Sequence, residues 1–252
     1  MKPSDHSDAA TVENLIRELG DARKAVQRRA IDELVAIAAA AGKPLVTEKL
    51  RDSLAGADRR VRWAAAHALG QIGAGAFAMD SADALCEAMA DDDGDIRWAA
   101  ANLMVQLGQQ NENLPEISLR LLKLAANGDR NARKMALYCI RDLDITGPEL
   151  LAVAERAVHD SDVHVRLATL AVLSRLRDAS EEAARIVLEC LKSDPDAGVR
   201  RAAASALGNI QSAGADAAAA LTSAAANLAD ESLARAARGA LDRLDKERLE
   251  KP

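Results

Sequence analysis

Aromatic side chains are almost missing from this chain: phenylalanine, tyrosine and tryptophan together make up 2% of its 252 residues. A core built on rings is excluded. Since 49% of the residues are still apolar, alanine and leucine must supply the buried area. Small side chains let helix axes approach within the roughly 8–10 Å range of packed helices. A basic excess is lacking too. The net charge is −6 and the pI about 5.4, which argues against a large nucleic-acid footprint, although it leaves room for a local basic stripe. The three cysteines, Cys86, Cys139 and Cys190, show no CxxC and no Cys/His spacing. They are expected to be free thiols of a reducing compartment, with no metal site. The opening MKPSDHSDAA has no apolar signal segment, and no uninterrupted apolar run reaches the ~20 residues that span a bilayer. The expected setting is the cytoplasm, away from membranes.

What the chain does have is a repeat. Residues 58–73, DRRVRWAAAHALGQIG, have a partner at 93–108, DGDIRWAAANLMVQLG. The step from Val61 to Ile96 is 35 residues. Looser copies begin at Asp129 and Asp162, and a clear one at Asp196 (DAGVRRAAASALGNI). The copies at Ala25–Ile37 and from Asp230 are degenerate. A fixed period in this range marks a solenoid, in which each unit buries its face only against its neighbours.

From Thr11 the chain divides into helix pairs. The first helix of each pair, helix A, carries apolar residues at helical spacing, as in Val12, Leu15, Ile16 and Leu19, or Ile186, Val187, Leu188 and Leu191. Asp80-Ser81, Pro115, Gly147-Pro148-Glu149 and Ser180-Glu181-Glu182 fit the rules for helix starts. A turn rich in Asp and Gly follows, and then helix B. Seven B helices are expected, starting near Val26, Val61, Ile96, Ala132, Val165, Val199 and Leu233. The fold class is all-α, a right-handed α-solenoid of about seven helix pairs over residues 11–244. Residues 1–10 are expected to be disordered, and 245–252 to form a charged tail.

The motif D-x-x-[VIA]-R recurs as Asp58/Arg62, Asp93/Arg97, Asp129/Arg133, Asp162/Arg166 and Asp196/Arg200. The aspartate can cap helix B, and aspartates and arginines of adjacent repeats can form a structural ladder of charge-assisted bonds. An anion-binding row is the competing reading. The ladder is preferred, because each arginine brings its own aspartate.

The full pattern, D-x-x-V-R-x-x-A-x-x-A-L-G-x-I-G, resembles the HEAT repeat, in the short bacterial form also found in phycobilisome lyases. Residues 58–73 match it at nearly every position, and 196–210 do so up to the end. The resemblance covers about Thr11 to Leu244. It is specific for fold and unspecific for function, since it implies scaffolds and adaptors in most cases. Pigment lyases, protein-lysine hydroxylases and DNA glycosylases are its active branches. The hydroxylases use His-Glu pairs for a di-iron centre, and none of His6, His67, His159 and His164 is followed by Glu.

The resemblance implies that the B helices line the concave side. The residue after each ladder arginine then points away from the core: Arg28, Trp63, Trp98, Lys134, Leu167, Arg201 and Arg235. One turn on lie Asp32, His67, Asn102, Tyr138, Ala171, Ser205 and Gly239, and two turns on Ala36, Gln71, Gln106, Asp142, Arg175, Asn209 and Arg243. Both tryptophans and the only tyrosine fall on these rows. Trp63 and Trp98 either shield repeat junctions or flank a slot floored by His67, Asn102, Gln71 and Gln106. The expected function is a monomeric scaffold without a cofactor or catalytic constellation. It would bind a protein or peptide through Trp63, His67, Gln71, Trp98, Asn102, Gln106, Lys134 and Tyr138. An accessory subunit of a chromophore lyase, holding a planar ligand between the tryptophans, is the alternative. Nucleic-acid binding through Arg28, Lys134, Arg175, Arg201, Arg235 and Arg243 is a third reading.

Overall fold

The computed structural model describes residues 3–250 apart from 42–43, 55, 57, 74–81, 111, 177–179 and 211–213. Every regular element among them is a helix: α1 (Pro3–Glu18), α2 (Lys24–Ala41), α3 (Pro44–Leu54), α4 (Arg59–Ile72), α5 (Ala82–Ala88), α6 (Gly94–Gly108), α7 (Leu114–Asn127), α8 (Arg130–Asp142), α9 (Pro148–Ala157), α10 (Val163–Leu173), α11 (Ser180–Ser193), α12 (Ala197–Leu207), α13 (Gly214–Ala225) and α14 (Glu231–Glu250). The even-numbered helices are the seven B helices. The helix start expected at Asp80-Ser81 lies outside the described residues, as do the side chains of His6 and Ser180.

Two boundaries differ from expectation. Within residues 1–10 the chain is already helical from Pro3, because proline suits a first helical turn and the Ala9-Ala10 pair propagates it. Helix α14 likewise runs through the expected tail at 245–252 as far as Glu250. Lys246, Glu247, Arg248, Leu249 and Glu250 are all good helix formers, and composition alone had suggested fraying there.

The chain packs as two compact units, residues 1–119 and 120–252. In the first, α2 packs on α4 and α4 on α6. Its core is aliphatic: Leu15, Leu34, Leu50, Leu69, Leu85 and Met104, with Ala64, Ala65, Ala66 and Ala68 closing the contacts of α4. In the second, α8, α10, α12 and α14 pack in succession, around Met135, Leu137, Ile140, Val165, Leu173, Val199 and Leu207.

The Leu-Gly step of the motif sets how closely B helices approach. Gly70 and Gly208 both stand eight residues after the ladder arginine. A Cβ on Gly70 would lie 2.2 Å from Cδ2 of Leu103 on α6, and one on Gly208 2.6 Å from Cα of Ala240 on α14. At Gly208 glycine is needed for closeness, because the backbone of Ala240 cannot move aside, whereas at Gly70 the close atom is a methyl at the end of the Leu103 side chain.

Candidate functional site

Each turn before a B helix is built by one or two aspartates. Asp58, Asp93, Asp129, Asp162 and Asp196 are N-caps, whose carboxylates accept from the amides of Arg60, Asp95, Ala132, His164 and Val199 at 2.8–3.0 Å. Burial pushes the Asp162 carboxyl up, but the amides of His164 and Val165 outweigh it and hold the group below the usual carboxylate range. Two residues ahead of a cap stands a second aspartate. Asp91, Asp160 and Asp194 accept from the amides of Asp93, Asp162 and Asp196 at 2.8–2.9 Å and brace the loop.

The five arginines share one anchor. Nη1 of Arg62, Arg97, Arg133, Arg166 and Arg200 donates to Gly56, Asp91, Gly128, Asp160 and Asp194 carbonyl oxygens respectively, at 2.6–2.9 Å. For Arg133 and Arg166 the carboxylate partner corrects the expected ladder, being the bracing aspartate of the next turn and not a cap aspartate. Arg133 is bidentate to Asp160, at 2.7 and 2.9 Å, and Arg166 is bidentate to Asp194, at 2.8 and 3.1 Å. The cap carboxylate is already committed to the helix amides, whereas the bracing aspartate keeps oxygen lone pairs for the preceding repeat. The D-x-D spelling at 91–93, 160–162 and 194–196 carried this signal. In the first unit Arg62 pairs with Glu87 of the following A helix, α5.

The outward rows are less uniform than the sequence suggests. Trp98 on α6 is 49% exposed, while Trp63 at the same motif position on α4 is only 8% exposed. The expectation of two outward indoles is therefore corrected: Trp63 is a junction residue. Its ring stacks at 5.0 Å, tilted 39°, on His67 one turn on. His67 in turn feels Arg28 and Asp32 of α2, so this edge of α4 faces α2. Burial pushes the His67 imidazole below its ordinary pKa, Asp32 pulls it back and Arg28 adds to the depression. Nε2 of His67 is 2.9 Å from Nε2 of Gln71, and its buried Nδ1 has no hydrogen-bond partner. A slot walled by two exposed tryptophans is not formed.

Asn102 and Gln106 follow Trp98 on α6 at one-turn intervals and both are exposed. Lys134 and Tyr138 belong to the second unit, where both are half-buried and the Arg141 guanidinium lies 5.2 Å from the Tyr138 ring centre. Several cations of the third reading are engaged. Arg175 meets Asp144 at 3.1 Å, Arg235 meets Glu231 at 3.5 Å, and Arg243 donates to the carbonyls of Gly208 and Ser205. All three cysteines are free, and burial pushes the Cys190 thiol up to about 12. Among the described residues no group of His, Cys, Asp and Glu is arranged to hold a metal ion, and no helix is long and apolar enough to cross a membrane.

Comparison with known proteins agrees with this geometry. The HEAT-repeat family matches residues 12–111 and 118–208, and the phycobilisome-lyase HEAT-like repeat matches 199–227. No curated protein matches significantly. Among solved structures, an archaeal HEAT-like repeat protein from Thermococcus onnurineus NA1 superposes with a TM-score of 0.57 at 14% identity, covering 93% of this chain and 97% of that one. An engineered protein does so at 0.52 and 21% identity, covering 93% and 68%. Kap95p, described in a complex that switches the loops of RanGDP, gives 0.64 at 13% identity, and there 91% of this chain spans 35% of the other. At these identities the likeness is one of fold. The family match covers about three quarters of the sequence, and the chain belongs to the HEAT-repeat family.

Proposed function

We propose that this protein is a non-catalytic scaffold that binds another protein or a peptide on the B-helix face of residues 1–119, with Trp98 as its anchor. The observation that carries the reading is the half-exposed Trp98 indole, in a chain where aromatics are 2% of residues. A tryptophan in water contributes nothing to folding at its exposed half, yet tryptophan is among the residues that most often carry binding energy. Asn102 and Gln106, exposed one and two turns on, add hydrogen-bonding groups without charge. Such a face suits an apolar side chain with neighbouring main-chain amides. Kap95p lends the reading only that a HEAT stack can hold a protein partner.

The test compares wild type with Trp98→Ala in co-purification from the native host, followed by titration with the partner so identified. Trp98→Ala is expected to weaken binding at least tenfold, about 1.4 kcal/mol, with its helical circular dichroism unchanged. Equal affinity of the two proteins for every co-purified partner would reject the reading.

A further inference from the structure

The ladder of the second unit is incomplete at its last rung. Arg133, Arg166 and Arg200 are equivalent, each anchored by Nη1 to a carbonyl of its own turn. For Arg133 and Arg166, the Nε/Nη2 edge is closed by the bracing aspartate of the next turn, Asp160 or Asp194. Beyond Arg200 the next cap is Asp230, which accepts from the Leu233 amide at 2.9 Å as Asp196 accepts from Val199. Counting back two residues from that cap gives Leu228 where Asp160 and Asp194 stood. The loop brace has passed to a neutral amide, since Asn227 Oδ1 accepts from Ala229 N at 3.0 Å. No carboxylate among the described residues pairs with Arg200, whose other hydrogen bond goes to a second carbonyl, Pro195 O at 3.2 Å. Leu228 is 97% exposed, the most exposed large apolar side chain described.

We propose that Arg200 is an open carboxylate site, and that an aspartate or glutamate of a protein partner takes the place of the missing rung, with an apolar neighbour of that acid packing on Leu228. The proposal rests on the protein-binding reading and names the chemistry of a second contact. The fold holds the guanidinium in place through backbone carbonyls before any ligand arrives, so its planar donor edge is preorganised for a bidentate carboxylate. Completed rungs in the same unit show the geometry that the occupant would adopt. Charge complementarity selects an acid, and the bare leucine selects an acid with an apolar neighbour.

Two variants and one probe test this. The probe is an acetylated, amidated peptide copying residues 191–196, Leu-Lys-Ser-Asp-Pro-Asp, which contains the turn that fills the neighbouring rung. Titration is followed on the arginine Nε–Hε resonances of the 15N-labelled full chain, with the Arg200 signal assigned from Arg200→Lys. A saturable shift of that signal is expected, absent when both peptide aspartates are replaced by asparagine. Leu228→Asp restores the D-x-D spelling, and it is expected to close the rung within the chain. It should raise Tm by about 2–4 °C, the response to roughly 1 kcal/mol in a chain of this size, and abolish the peptide response. No saturable shift in wild type, or an equal shift in wild type and Leu228→Asp, overturns the proposal. Trp98→Ala should leave the Arg200 response intact, so failure here and failure of the Trp98 reading are separately visible.

Discussion

The two units solve the same junction problem with different chemistry. In residues 120–252, successive B helices are joined by charge: Arg133 to Asp160 and Arg166 to Asp194, with the latter pair only 11% and 4% exposed. In residues 1–119, the equivalent Arg62 meets a half-exposed Glu87, and the α2–α4 junction carries a buried indole, Trp63 on His67. The whole net charge of the chain also lies in residues 1–119, while acids and bases balance in 120–252. A repeat motif thus fixes where a contact is made and leaves open what makes it. Where the bracing aspartate is shielded the rung is a structural bond. Where the acid is an exposed side chain of an A helix, as Glu87 is, solvent screens the pair and its contribution is small.

The largest effect that sharpens this contrast is expected from Trp63→Ala. Losing a buried indole should destabilise the first unit by about 3–5 kcal/mol, whereas Trp98→Ala should cost under about 1 kcal/mol. Urea unfolding followed by circular dichroism measures both, and equal costs would return Trp63 to the outward face. Next comes Arg166→Ala, which strands the buried Asp194 carboxylate and should cost about 3 kcal/mol. Arg62→Ala should cost less, about 1 kcal/mol, since Glu87 stays hydrated once the arginine is gone. The contrast between units collapses if the two arginine variants melt alike.

A smaller pair of effects separates close packing from helix propensity. Gly208→Ala drives a methyl into the backbone of Ala240, which cannot swing aside, and should destabilise by about 1–3 kcal/mol. At Gly239 the nearest atom is 3.8 Å away, on the flexible end of Arg243, so Gly239→Ala should stabilise α14 by up to about 1 kcal/mol. Thermal melts of the two variants should move in opposite directions. The smallest effect is a pH dependence in the first unit. The folded pKa of His67 lies below its unfolded value near 6.5, so the folded chain binds fewer protons. Its contribution is intact above pH 6.5 and is lost progressively as pH falls below that value. An NMR titration giving His67 a pKa at or above 6.5 would contradict the burial of its ring.

The helix pairs and their repeat were legible because periodicity is a property of many residues at once. The apolar spacing, the caps from Asp58 to Asp196 and the Leu-Gly steps all point to one register. Pairings that depend on one or two residues were less legible. The longer D-x-x-V-R motif points to the cap aspartates as ladder partners, while the bracing aspartate is spelled only in the short D-x-D. Trp63 and Trp98 are indistinguishable in sequence, both following Ile/Val-Arg and preceding Ala-Ala. They differ in burial: Trp63 stacks on His67 and is 8% exposed, whereas Trp98 is 49% exposed. Leu228 continues the helical spacing of Ala217, Leu221 and Ala225, which places it on an A helix by sequence, but α13 ends at Ala225 and leaves the leucine 97% exposed.

Placing both tryptophans in residues 1–119 has a consequence for how the molecule can be observed. Emission from the chain reports the first unit alone, since residues 120–252 hold no tryptophan, whereas far-ultraviolet ellipticity reports helices in both. Superimposable melting curves from the two signals would mean that the units unfold as one cooperative body. An offset would give the separate stability of each unit from a single unmodified sample, with no label introduced.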